Sequence, residues 1–263
     1  MGGRLRLLAC GEEMQESLAP STDELDIFDD ITRLGQMLWE SSQRVVGLST
    51  DPKMFSIMLY KRLWSNHRGF VQLWRNSLPL EADIVLRSGI EAAICIAANF
   101  RLRERFVMLM RQDAAFTISG QIKLHRTHDE QQLVRDGEAA LRDLLAGLPT
   151  GAKATKLEWQ ALAREGQVSQ LYDWHRMLSG ISSHVTGLSV LHGVTDDTPR
   201  TSGLQGELRN LTQKMRPMMM AGATLNGSMH HAGMLDEQRL LEAVLQLTDR
   251  LNEISKQWPG AEA

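Results

Sequence analysis

The sequence predicts an all-α protein, a single multi-helix bundle of about seven or eight helices. Three observations carry this. Met is abundant at 14 residues, while aromatic residues, which favour strands, make up only 5% with two Tyr. Apolar residues recur three and four apart through most of the chain. Helix start and stop signals punctuate those runs. The hydrophobic share of 43% and charged share of 23% are those of an ordinary folded chain.

Residues 1–20 read as a disordered leader ending at Pro20, and residues 21–258 as the helical bundle domain. Ser21-Thr22-Asp23-Glu24 is a capping box, in which the hydroxyl and the carboxylate each satisfy a backbone N–H. It opens a helix expected to reach Val46, with Leu25, Phe28, Ile31, Leu34 and Leu38 at helical spacing and Gly47 closing it. Asp51-Pro52 caps a second helix, to about residue 77, with Phe55, Leu59, Leu63 and Phe70. Pro79 starts a third, to about Phe100, apolar nearly all round and therefore expected to be central and buried. A fourth pattern spans 101–146 and could break near Asp113 or Gly120. Gly147-Leu148-Pro149-Thr150-Gly151 is a linker.

Helices are then expected near 156–165 and 168–186, with a loop over 187–203 in which Val190-Leu191 could add a short strand. Pro217 should kink or restart the helix over 204–231. A last helix over 236–257 places Leu240, Leu241, Val244, Leu247 and Leu251 on one face.

The net charge of −3 gives no global signal for nucleic acid or an anionic membrane, but the charge is uneven. Residues 1–60 hold five Lys/Arg and ten Asp/Glu; residues 61–111 hold nine and four. The plain expectation is that these two blocks pair within the fold; the alternative is that the basic block meets phosphate. Cys10 and Cys95 make no disulfide framework, which fits a reducing, cytoplasmic compartment. Leu7-Leu8-Ala9-Cys10 resembles a lipoprotein cleavage box, but the apolar core of a signal peptide does not precede it. No stretch of 18 apolar residues is present, so no membrane span is expected.

Two stretches could carry chemistry. On the third helix Asp83, Arg87 and Glu91 lie four apart amid apolar residues, and Asn99 extends the row. A charge in such surroundings must be paired or face a cleft. Either the row is a solvent-facing stripe of ordinary ion pairs, or it is a polar seam against another helix. The second stretch, Tyr172-Asp173-Trp174-His175-Arg176-Met177-Leu178-Ser179-Gly180-Ile181-Ser182-Ser183-His184, packs a phenol, guanidinium, hydroxyls and two imidazoles together. Tyr172, Arg176, Ser179 and Ser183 share a helical face with His184 at its edge. That set could hold a phosphate or planar base, or Arg176 and His184 could anchor the helix to Glu91.

No metal or cofactor is expected. His125 and His128, with Asp129 and Glu130, and the pair His230-His231 have metal-like spacing, but the first group reads as a solvated face. Phosphate-loop, dinucleotide and nucleophile-elbow motifs are missing. The segment Met215-Arg216-Pro217-Met218-Met219-Met220 reads as filler for irregular core gaps.

Leu86-Arg87-Ser88-Gly89-Ile90-Glu91-Ala92-Ala93, followed by Tyr172-x-x-His175-Arg176-x-Leu178-Ser179-x-x-x-Ser183-His184, resembles a bacterial family of helical proteins, DUF5677, over residues 55–195. That family in turn looks distantly similar to the HEPN superfamily of helical bundles. Those are often dimeric, occur in toxins and antiphage systems, and in many cases cut RNA without metal through an Arg-x(4–6)-His motif. Here the comparable pair, Arg176 and His184, is separated by seven residues, a departure from that spacing. The resemblance implies a homo-oligomer of stress or defence type with an RNA or protein partner. It would give His184 the proton transfer and Arg176 the phosphate, with Glu91, Arg87 and Tyr172 orienting them. The expected function is a partner- or ligand-binding module; the alternative is a metal-independent endoribonuclease of toxin or antiphage type.

Overall fold

The computed structural model describes residues 21–47, 51–76, 78–181 and 204–256; of residues 181 and 204–214 only the backbone is described. Among them nine helices and no strand form: α1 (Thr22–Ser42), α2 (Pro52–Arg75), α3 (Pro79–Leu102), α4 (Glu104–Thr127), α5 (Gln131–Ala146), α6 (Trp159–Glu165), α7 (Ser169–Ile181), α8 (Leu204–Leu235) and α9 (Gln238–Ser255). The all-α class is as expected, and the count is nine rather than seven or eight. The leader, Cys10, the loop over 187–203 with Val190-Leu191, and Ser182, Ser183 and His184 lie outside the described residues.

The count rises because the pattern over 101–146 breaks at His128–Glu130, not at Asp113 or Gly120, which both lie inside α4. The break carries no glycine. Asp129 takes φ 56°, a left-handed conformation that short polar side chains tolerate. Positive φ recurs at Arg103, Gln167 and Asp236, with values of 52°, 59° and 61°. Each stands between two consecutive helices; at Gln167 the preceding Gly166 caps α6, while the other three corners carry no Gly. At the first, Arg103 lays its guanidinium 4.9 Å from the Phe100 ring centroid.

Helix ends follow local chemistry. Ser21 Oγ accepts from Glu24 N at 3.3 Å and Glu24 Oε2 from Ser21 N at 2.7 Å, completing the capping box of α1. That helix stops at Ser42, short of Val46, and the backbone then closes turns from Arg44 N to Ser41 O and from Val45 N to Ser42 O. Asp51 Oδ1 accepts from Lys53 N at 2.7 Å with Pro52 in the first turn of α2. Pro217 does not restart α8, which runs through it. The proline removes one helix N–H, and burial of Met218, Met219, Met220 and Ala221 just beyond it holds the helix in place.

The core lies between α1, α2, α3 and α8. Ala92 to Asn99 on α3 is buried without interruption, and its alanines let α2, α6, α7 and α8 approach closely. Met218, Met219 and Met220 are buried there too. Two neutral histidines tie the layers together. His67 on α2 bonds Thr32 Oγ1 of α1 at 2.8 Å and Thr224 Oγ1 of α8 at 2.9 Å, and stacks on Phe28. His231 on α8 bonds Ser42 Oγ of α1 at 2.8 Å and Ser56 Oγ of α2 at 2.7 Å, and stacks on Tyr60 at 4.3 Å. Burial pushes both imidazoles down to about 3. By contrast, α5 packs on α4 and holds no buried residue. No helix among the described residues is long and apolar enough to cross a membrane.

Candidate functional site

The row Asp83–Arg87–Glu91 divides. Four residues advance a helix by about 40° beyond a full turn, so eight residues rotate the direction by about 80°. That is enough to aim Asp83 at α8 and Glu91 at α7. Asp83 is fully buried, and its Oδ2 lies 2.6 Å from Arg216 Nη2. Burial raises the Asp83 carboxyl to about 6, with Arg216 opposing the rise. Burial likewise lowers the Arg216 guanidinium.

Arg87 and Glu91 form the other half, a polar seam between α3 and α7. Arg87 Nη2 stands 3.1 Å from Glu91 Oε1, and Arg87 Nε donates to Ser179 Oγ at 3.0 Å. His175 Nε2 lies 3.0 Å from the same Glu91 oxygen. With Nε2–H donated to the carboxylate, the Arg87 Nη2 at 3.4 Å from Nε2 is a packing contact, not a second hydrogen bond. Ser179 Oγ donates in turn to His175 O at 2.7 Å. The imidazole is flanked by Trp159 at 5.4 Å and Tyr172 at 6.2 Å between ring centroids. Its Nδ1 is buried without a hydrogen-bond partner.

The structure thus brings together Arg87, Glu91, His175 and Ser179, with Tyr172 alongside. Arg176 is not among them; it is exposed. The buried positions of α7, Leu171, His175 and Leu178, define a face to which Arg176 does not belong. The apolar residues flanking His175 at helical spacing were the signal for this. Asn99, at the end of the row, donates to Pro52 O at 2.8 Å and fixes the start of α2.

Beside the seam opens a cleft of about 330 Å³ between α2, α3, α4 and the stretch leading into α6. Glu91 belongs to both. Leu59, Ala92, Cys95, Met110, Phe116, Leu157 and Trp159 give it an apolar lining; Arg62, Asp113, Thr117 and Lys156 add polar groups. One wall is formed by Lys156 and Leu157 of the irregular segment 152–158, held to α4 by Thr155 N to Gln112 O at 3.1 Å and Leu157 N to Asp113 Oδ1 at 2.8 Å. Burial pushes the Cys95 thiol up to about 12, so it supplies no thiolate nucleophile.

Arg62, Asp113, Lys156 and Trp159 were not evident in the sequence, because they come from three separate segments with no local motif. Arg216 did leave a trace: a lone charge among methionines requires an opposite partner, as Asp83 did. Among the described residues no three His, Cys, Asp or Glu converge as metal ligands. His125 pairs with Glu130 at 2.5 Å across the α4–α5 turn, and His230 Nδ1 bonds Asn226 O at 2.8 Å. The acidic N-terminal and basic central blocks meet at Arg75–Asp29, 3.4 Å apart, and at Asp236–Lys53 and Arg250–Asp30 the pairs reach α8–α9 instead. Comparison with protein-family models, curated proteins and solved structures finds no match.

Proposed function

We propose that this chain is a ligand-binding helical module whose site is the cleft ending at Glu91. The observation that carries this is a concave, mostly apolar space of about 330 Å³, with Glu91 at its junction with a hydrogen-bonded polar seam. That volume falls in the range of small-molecule pockets, and a few placed polar groups on an apolar lining are their usual chemistry. His175 and Arg87 hold Glu91 in one rotamer, so the inner end of the cleft is preorganised. Occupation could alter the α3–α7 seam through Glu91, which would let a bound molecule be sensed by a partner on α7. A bacterial stress or defence setting is proposed on the resemblance alone.

The endoribonuclease alternative assigns its chemistry to Arg176 and His184. Arg176 is exposed and outside the hydrogen-bond set of Glu91, so binding is the better supported reading. The two are separated by experiment. A fragment library is titrated into labelled protein, following the Trp159 indole N–H by NMR. The binding reading expects fragments that move this signal and lose their effect in Thr117→Trp, which fills the cleft from an exposed position. No fragment acting at Trp159, together with RNA degradation in cells that His184→Ala abolishes, would replace it with the ribonuclease reading.

A further inference from the structure

The charges around the cleft are unequally matched. Of its two carboxylates, Glu91 is neutralised by Arg87 at 3.1 Å, and Asp113 already holds the Leu157 N–H at 2.8 Å. Of its two cations, among the described residues, Arg62 reaches only Ser88 Oγ, at 3.3 Å, and Lys156 has no hydrogen bond or ion pair. Both cations are exposed and stand at the rim. The apolar groups, Leu59, Ala92, Met110, Phe116 and Trp159, line the space itself. Taking the cleft as a ligand site, the geometry points to a small amphipathic acid, an apolar or aromatic body carrying one carboxylate, as the molecule it takes.

The body would occupy the apolar space and exclude water from Trp159 and Met110. The carboxylate would stay at the rim, where Arg62 offers a forked donor and Lys156 a mobile charge. Asp113 limits the ligand to a single negative charge, since a second anionic group deeper in would face its carboxylate, which holds only a backbone N–H. This disfavours polyphosphates and a nucleic-acid backbone. The volume, near the small end of ligand pockets at roughly 300–1,000 Å³, suits a bicyclic body rather than a nucleotide.

The test uses the full chain and three probes of one shape: 2-naphthoate, 2-naphthalenemethanol and 2-naphthylmethylamine, titrated by calorimetry. The acid is expected to bind about tenfold more tightly than the amine, with the alcohol between them. Arg62→Gln with Lys156→Gln should remove about tenfold from the acid and leave the alcohol within about twofold. Both residues are exposed, so the variant should fold, which its unchanged Tm would verify. Equal binding of acid and alcohol, stronger binding of the amine, or an acid affinity indifferent to the double substitution overturns the ligand class while leaving the cleft a binding site. Failure of all three probes to bind overturns the amphipathic-acid class, and the fragment titration at Trp159 then decides the binding reading separately.

Discussion

A single buried carboxylate illustrates how much one residue can demand. Asp83 sits fully buried on an apolar helix, and Arg216 on α8 answers it. The pair is enclosed: Asp83 is 0% exposed and Arg216 2%. Desolvation cancels much of what the attraction contributes, so the pair stabilises little in net terms, yet each partner makes the other indispensable. Asp83→Ala or Arg216→Ala alone is expected to cost about 3–5 kcal/mol, because it strands a buried charge. Asp83→Leu combined with Arg216→Met should cost far less than the two single losses added together. Urea denaturation of the four proteins measures this; additive losses would show that the two side chains are not coupled. The raised Asp83 carboxyl has the same origin, since burial disfavours its charge more than Arg216 restores it.

Elements meet at distances that one atom can spoil. Gly166 closes α6 where it abuts α3, and a Cβ there would stand 3.0 Å from Ala98 N and 3.1 Å from Ala97 C. Backbone cannot yield as a flexible side chain can, so the two elements must separate. Gly166→Ala is therefore expected to destabilise by about 1–3 kcal/mol in urea. Because α6 carries Trp159, the same substitution should weaken probe binding at the cleft. A neutral outcome in both measurements would mean that the α3–α6 contact does not set the cleft wall. Element boundaries also mark where the sequence was least legible. The capping box at Ser21 and the Asp51-Pro52 start were readable because a cap is a local contest for backbone N–H groups. The corner at Asp129 was not, because no glycine or proline marks it and a non-glycine residue takes positive φ there.

At the scale of the whole molecule, His67 and His231 each join α1, α2 and α8. Their stability contribution has a defined pH window. Both are held near 3, below the usual value near 6.5, so between these limits the unfolded chain binds more protons. The contribution is full above about 6.5 and falls as the pH drops, by about 1.4 kcal/mol per histidine per pH unit. Asp83 acts in the opposite sense between its ordinary range and about 6, so it offsets one of the two protons there. Thermal denaturation from pH 7 to 5 should show a falling Tm, with a slope that His67→Gln and His231→Gln together flatten. An unchanged slope in that double variant would place the acid sensitivity elsewhere.

The sequence by itself determined the all-α class, most helix starts, the buried character of α3 and the requirement that the charges along Asp83–Arg87–Glu91 be paired or face a cleft. These are consequences of periodicity, capping and desolvation, which act over a few neighbouring residues. Tertiary structure alone decided which partner each charge received. It split the row between Arg216 on α8 and His175 with Ser179 on α7, and turned His175 inward while Arg176 faced solvent. It also assembled the cleft from α2, α3, α4 and the segment before α6. The physical reason is rotation and distance. A helix advances about 100° per residue, so small differences in how two helices are phased redirect a side chain. Residues nearly a hundred positions apart, such as Arg62 and Lys156, share a rim only once the chain has packed.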